Sequence, residues 1–273
     1  MDQPDCKTLR HPRLDELGLD LLKTSAIQRY VAISRPLIGI CAYAIAAFFK
    51  LWWLLPLIVF LIFIAVVTVT HDLVHGALGL NRRRTEWGLF VMGAILLESG
   101  HSYRATHRQH HRVFPAENDP EGDPARMSLI GAILNGPLFL PRLWIWAFRQ
   151  NRNNRSYRIW LGIEAAIPVL VIILGVLAWK QTPAILLYAV LMIAGSWVYP
   201  LLTVHLPHRN YGATPLEQTH TLRGRIIPAL FLELTYHLEH HLYPQVPSHN
   251  LPELSRRLEP FFRDAGVSVT HVP

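Results

Sequence analysis

Cysteine is nearly missing from this chain. Cys6 and Cys41 are the only two in 273 residues, too few for a disulfide framework, a thiolate cluster or an iron–sulfur site. Any bound metal must therefore be held through nitrogen or oxygen. Charge is scarce too: Asp, Glu, Lys and Arg make up 16% of the residues against 51% hydrophobic, which excludes a disordered tail, a coiled coil and an ordinary soluble domain. No haem-attachment CxxCH and no GxGxxG occurs. HExxH is missing as well, because HDLVH has Asp72 where a zinc protease carries Glu. The net charge is +7, yet no basic patch with interleaved aromatics stands apart from the apolar runs, so nucleic acid is not an expected partner. With no repeat or low-complexity segment, residues 1–273 read as one integrated domain.

What the chain does have is long apolar runs. Crossing a bilayer takes about 20 such residues, and residues 51–70, 159–179 and 181–204 qualify, the second holding only Glu164 as a charge. A shorter run within 32–50 lies between Arg35 and Lys50, whose side chains can snorkel to opposite interfaces. The expectation is an all-α integral membrane fold with four spans in two pairs. Two further stretches are not counted: Trp87 to Leu97 is short, and Met127 to Phe148 is interrupted by Pro137, Pro141 and Arg142, so both read as re-entrant or interfacial. Leu17, Leu21, Leu22, Ile27 and Val31 recur at roughly helical spacing, as in a helix lying on the membrane or on the protein's own soluble face.

Segments 1–31, 71–158 and 205–273 then share one side. Of the 26 Lys and Arg, only Lys50 and Lys180 fall in the short connections, and the positive-inside rule makes the shared side cytoplasmic. The Met-Asp-Gln-Pro start lacks the apolar core and cleavage site of a secretory signal, which agrees with a cytoplasmic N-terminus.

Histidine is the outlier, with fifteen copies, none inside an expected span. His71 and His75 in HDLVH are four apart. His107, His110 and His111 in HRQHH are spaced three and four apart, and His237, His240 and His241 in HLEHH repeat that spacing; on a helix each trio is expected to point one way. Crowded imidazoles repel once protonated, which a shared cation relieves. Eight or nine exceed the four ligands of one zinc and suit two ions, each with an open position. Imidazole by itself does not choose among Fe, Zn, Cu and Ni.

From Leu51 to Phe262 the sequence resembles the membrane-bound fatty acid desaturase superfamily. The resemblance rests on HDLVH, on HRQHH followed by NDPEGDP (Asn118 to Pro124), and on HLEHHLYPQVPSHNLP (His237 to Pro252). It implies two Fe ions held by histidines, using O2 and delivered electrons to attack an unactivated C–H bond. Carried over by position, the ligands are His71, His75, His107, His110, His111, His237, His240 and His241, with His208 of HLPHRN as the ninth. Weaker positions around them are Asp72, His101, His205, His220 and Glu233. Among other nearby acids, Glu98 and Asp119 are candidate imidazole partners, whereas Asp123 and Glu239 read as solvated or capping groups. Glu164, inside a span, is either functional or snorkelled to the interface.

The electrons must come from outside, from a ferredoxin or cytochrome b5-like donor. Arg104, Arg108 and Arg112 offer a basic face for it or for lipid phosphates. The substrate is expected to be a long-chain lipid, through fatty acyl desaturation or hydroxylation. The rival is a carotenoid ring, since HDLVHG and HLPHRN resemble carotenoid ketolases and hydroxylases. A membrane haem protein or metal transporter would need ligands within the spans, which are free of histidine.

Overall fold

The computed structural model describes residues 10–273. The first nine, including Cys6 and the expected cytoplasmic start, lie outside the described residues. The chain opens with a short helix α1 (Leu14–Leu17) and a 3-10 turn at Leu19–Leu22, parted by Gly18 at φ +112°. The expected amphipathic helix over residues 17–31 is therefore broken: the backbone turns at Gly18 and is extended again at Lys23, and a new helix starts at Ser25. There the Ser25 hydroxyl accepts from Gln28 N at 3.1 Å while Gln28 accepts from Ser25 N at 2.8 Å, a reciprocal cap that fixes the start of α2 (Ala26–Phe48).

Helix α3 (Leu55–His75) returns beside α2 and carries HDLVH out on its last turn, ending at Gly76 with φ +71°. Then come α4 (Arg82–Leu96) capped by Asn81, α5 (Gly100–Val113) capped by Ser99, the short α6 (Asp123–Arg126) and α7 (Leu129–Gln150) capped by Ser128. An outer hairpin follows, α8 (Arg155–Leu177) and α9 (Ala184–Pro200). Helix α9 continues through a π-helical turn at Leu201–His205 into α10 (Leu206–His208). Pro207 has no N–H for the carbonyl one turn back, and a widened turn absorbs that lost bond. The C-terminal cap holds α11 (Ile226–Leu230), α12 (His237–Leu242) and α13 (Leu251–Asp264). A two-residue parallel ladder pairs β1 (Leu222–Arg223) with β2 (Thr270–His271).

Five helical rods among the described residues are long and apolar enough to cross a membrane: Ala26–Phe48, Trp52–His75, Leu129–Gln150, Arg155–Leu177 and Ala184–His208. The fifth relative to expectation is α7, which runs unbroken through Pro137 and Pro141. Four residues apart, the prolines lie on one face, so the lost bonds fall on one side while the opposite ladder continues. Arg142 is no interruption either, because Asn135 Oδ1 accepts its guanidinium at 2.8 Å.

The outward faces of the rods expose Ile38, Phe48, Leu57, Leu170 and Leu177, a surface suited to lipid. Inside, α3 is the central rod: Val66 and Val74 are fully buried, packed with Leu89 of α4 and Met192 of α9. A second core joins Leu21 to Leu238, Leu251, Leu254, Leu258 and Phe262, each buried Leu contributing about 1.5–3 kcal/mol. The histidines lie at the seam between the two cores.

Candidate metal centre

Two buried groups of imidazoles form at this seam. In the first, one ring nitrogen each from His71, His75, His107 and His240 lies within 4.8 Å of the others. His240 Nε2 stands 2.9 Å from His71 Nε2 and 2.9 Å from His111 Nε2, and His111 Nε2 is 3.2 Å from His107 Nε2. The second gathers His110, His208 and His241 in the same way, with His208 Nε2 at 3.3 Å from His110 Nε2 and 3.0 Å from His237 Nε2. The groups adjoin, the His111 and His241 rings having centroids 4.3 Å apart.

The expectation that each trio points one way needs correction. His107 and His111 face the first group and His110 the second, while His240 joins the first and His237 and His241 the second. At about 100° per residue, the third and fourth positions after a helical residue diverge by about 100°, so each trio straddles two neighbouring centres.

These nitrogens fit metal ions better than they fit each other. Of two facing ring nitrogens only one can donate, and His75 Nε2 and His241 Nε2 are buried with no hydrogen-bond partner among the described residues. Metal–nitrogen bonds of about 2.1 Å place donors about 3.0 Å apart at right angles and about 3.4 Å apart in a tetrahedron, the range observed here. Burial first, and then the neighbouring imidazoles, hold His107, His111, His237, His240 and His241 well below the ordinary histidine value. The rings are thus neutral, with a lone pair available to a cation.

Their outer nitrogens have partners in part. His110 Nδ1–H donates to Asp119 Oδ2 at 2.7 Å, His107 Nδ1–H to Glu121 Oε2 at 3.1 Å, and His208 Nδ1–H to the Gln218 carbonyl at 2.9 Å. Each bond turns the Nε2 lone pair inward. Glu121, whose carboxyl is pushed up to about 7 by burial, is the functional residue that sequence reasoning missed. The signal was present in NDPEGDP, two residues after Asp119.

The weaker positions fare differently. Asp72 Oδ1 accepts from Ser248 N at 3.1 Å and from Ser248 Oγ at 2.6 Å, and lies 3.8 Å from His71 Nδ1, so its close partner is the C-terminal cap. His205 is buried outside both groups and donates Nδ1–H to the Pro124 carbonyl at 2.9 Å. His220 is exposed and bonds the Arg209 carbonyl at 2.7 Å. Among the described residues Glu233 makes no hydrogen bond to a box imidazole. Asp123 is exposed beside Arg126, whereas Glu239 is fully buried, accepting from Ser255 and Arg223. Its role is to join α12 to α13 and β1.

His101 and Glu164 prove to be partners. The fully buried His101 ring is 2.7 Å from Glu164 Oε1 through Nδ1 and 2.8 Å from Glu86 Oε2 through Nε2, and Glu86 pairs with both Arg104 terminal nitrogens. Glu164 also accepts from Ser99 Oγ and is 1% exposed, so it does not snorkel. Each polar group of the network thus meets a partner of complementary hydrogen-bonding character, which offsets the cost of burying His101 and Glu164. Above this network a cavity of about 490 Å³, lined chiefly by apolar side chains, lies between α3, α5, α7, α8 and α9. It approaches the first histidine group through Thr70 and Tyr103, the latter stacked on His107 with centroids 4.8 Å apart.

Residues 50–273 match the sequence profile described as fatty acid desaturase. Among curated relatives, a beta-carotene ketolase of Paracoccus sp. (strain N81106 / MBIC 01143) is 29% identical over 225 residues, 77% of this chain and 78% of that protein. The dihydrorhizobitoxine desaturase of Bradyrhizobium elkanii is 25% identical, covering 90% of this chain and 82% of its own length. A chloroplastic omega-3 fatty acid desaturase of Ricinus communis is 21% identical over 80% of this chain and 56% of its own.

Proposed function

The chain belongs to the fatty acid desaturase family, and on that premise we propose that it is a membrane diiron oxidoreductase that attacks an unactivated C–H bond of a long-chain lipid with O2. The observation that carries this reading is the convergence of nine imidazoles into two adjoining groups at the end of apolar helices. Two irons held there by His71, His75, His107, His111 and His240, and by His110, His208, His237 and His241, would supply O2 activation. The protein's own contribution is positional. Asp119 and Glu121 hold the Nδ1 protons, so the Nε2 lone pairs stay inward. The apolar cavity excludes water and fixes a lipid chain relative to the centre, and that placement selects desaturation or hydroxylation.

Four spans with the histidines on one side of the membrane agree with the contacts of α8, and the positive-inside rule supports a cytoplasmic side. The Tyr157 hydroxyl at the start of α8 donates to the His101 carbonyl at 2.5 Å, so α8 begins on the side where α5 lies. One crossing by α7 between them would put these bonded groups on opposite faces. The assignment of α7 is therefore interfacial, its far end tied back by Trp144 Nε1–H to the Leu161 carbonyl at 3.2 Å. Electrons come from a ferredoxin or cytochrome b5-like donor. Arg104 and Arg108 are engaged internally, with Glu86 and with the Val74 carbonyl, which leaves the exposed Arg112 and Arg82–Arg84 for docking.

A carotenoid ring is the second reading, favoured by the two beta-carotene ketolases at 29% and 28% identity. The test is elemental analysis of protein made in iron-replete medium, with mass spectrometry of lipid extracts from a host supplying both acyl lipids and carotenoids. Two irons per chain and an oxidised acyl product support the first reading. An oxidised ring transfers the assignment to the second, and an iron-free protein without product overturns both.

A further inference from the structure

The cavity carries a polar station that the metal chemistry does not use. Most of its polar groups are already satisfied: Thr70 Oγ1 donates to the Val66 carbonyl, Ser99 Oγ to Glu164, and Glu164 is bonded by Ser99 and His101. Two atoms remain, Glu98 Oε1 and Ser102 Oγ, both buried and without a hydrogen-bond partner among the described residues. An unpaired carboxyl in apolar surroundings is costly, and native folds rarely keep one without a use.

The backbone holds Glu98 in place. Leu97 before it is in the left-handed region at φ +60°, strained for a residue with a side chain. The loop is pressed onto α4 so closely that a Cβ on Gly93 would lie 2.8 Å from the Glu98 carbonyl oxygen, and one on Gly100 would lie 2.2 Å from the Leu89 carbonyl oxygen. The loop has no room to retreat and withdraw the acid from the cavity. Burial pushes the Glu98 carboxyl up to about 8, so at neutral pH it carries a proton and is uncharged.

We infer that Glu98 and Ser102 bind a hydroxyl group carried by the lipid substrate. This rests on the reading that the cavity holds that lipid. A hydroxyl brings one donor and one acceptor, the complement of a neutral carboxyl and a serine hydroxyl, each able to give or take one bond. Glu164 is already bonded to His101 and Ser99, so neither a substrate ammonium nor a substrate carboxylate would find a free counter-charge in the cavity. An alkyl chain alone would leave both groups unsatisfied, and sites of this kind discriminate strongly against the analogue lacking the group.

The test uses the full-length protein in nanodiscs and equilibrium competition by hexadecanol and by hexadecane, at matched bilayer mole fraction, against a fluorescent long-chain alcohol. The wild type is expected to prefer the alcohol by about tenfold to a hundredfold, the net effect of two hydrogen bonds. Glu98→Leu abolishes the preference by weakening alcohol binding alone, Glu98→Gln retains most of it, and Ser102→Ala reduces it. Equal affinities in the wild type, or a preference undiminished in Glu98→Leu, overturn the station. Because binding is read without turnover, iron content and product formation measured on the same preparation separate the two failures. A preference without iron or product sinks the oxidoreductase reading and leaves the station standing; iron and product without a preference sink the station alone.

Discussion

The Nε2 atoms of His71 and His240, 169 positions apart in the chain, face each other at 2.9 Å. The contact joins the end of a membrane rod to the C-terminal cap, so the proposed centre exists only when the two cores are docked. His71→Ala is expected to empty the first group and His241→Ala the second, each lowering bound iron and abolishing turnover with the protein still in the membrane. Elemental analysis beside an activity assay checks this; full iron and full activity in both variants would remove these residues from the ligand set.

Asp119 and Glu121 act one layer further out. Asp119→Asn and Glu121→Gln keep the size of the side chain and lose the carboxylate that orients His110 and His107. A drop of about 10–100-fold in metal affinity or activity is expected, read by competition with a chelator of known affinity. Unchanged affinity would assign both acids to loop structure alone.

The Glu86–His101–Glu164–Arg104 network predicts non-additivity. Glu164→Leu leaves the buried His101 without one of its carboxylates and should cost about 3–5 kcal/mol. His101→Leu combined with Glu164→Leu should cost less than the sum of the single changes, leaving the Glu86–Arg104 pair intact. Thermal unfolding in detergent measures the coupling, and strict additivity would contradict the network.

The depressed imidazoles set a pH dependence for the metal-free protein. In the unfolded chain they take up protons near pH 6.5, whereas folded His107, His111, His237, His240 and His241 stay neutral far below that. The unfolded state therefore binds more protons below about pH 6.5, and stability falls as pH drops, by up to roughly 1.4 kcal/mol per group per unit. The unfolding midpoint of the stripped protein should decline steeply from pH 7 to pH 5. A flat profile would mean the rings are not buried together.

Gly136 lies where α7 crosses α9, and a Cβ there would sit 2.0 Å from the Trp197 carbonyl oxygen. Gly136→Ala should force the helices apart at a cost of about 1–3 kcal/mol, visible as a lowered unfolding midpoint. A variant as stable as the wild type would show this crossing to be loosely packed.

Much of the centre was legible because its signals are local. HDLVH, HRQHH and HLEHH each lie on a helix turn, so spacing brought forward eight of the residues that the structure gathers, and the family resemblance added His208 at the end of the last apolar run. Glu164 and His101 were flagged separately, but nothing in their spacing of 63 positions predicts a shared hydrogen bond. The broken N-terminal amphipathic stretch and the intact α7 went the other way: Gly18 turned the backbone where a helical pattern continued, and Pro137 and Pro141 fell on one face where they read as breaks.

The sequence by itself determined the apolar rods, the all-α class and the identity of the histidines, because hydrophobic run length and residue type act within a few helical turns. The tertiary structure alone decided how the imidazoles divide into two groups, that Asp72 serves Ser248 while Glu121 serves His107, and that Glu98 is left unpartnered in a cavity. Those outcomes depend on which distant segments meet and at what angle, and packing of whole helices sets that geometry where no local pattern can.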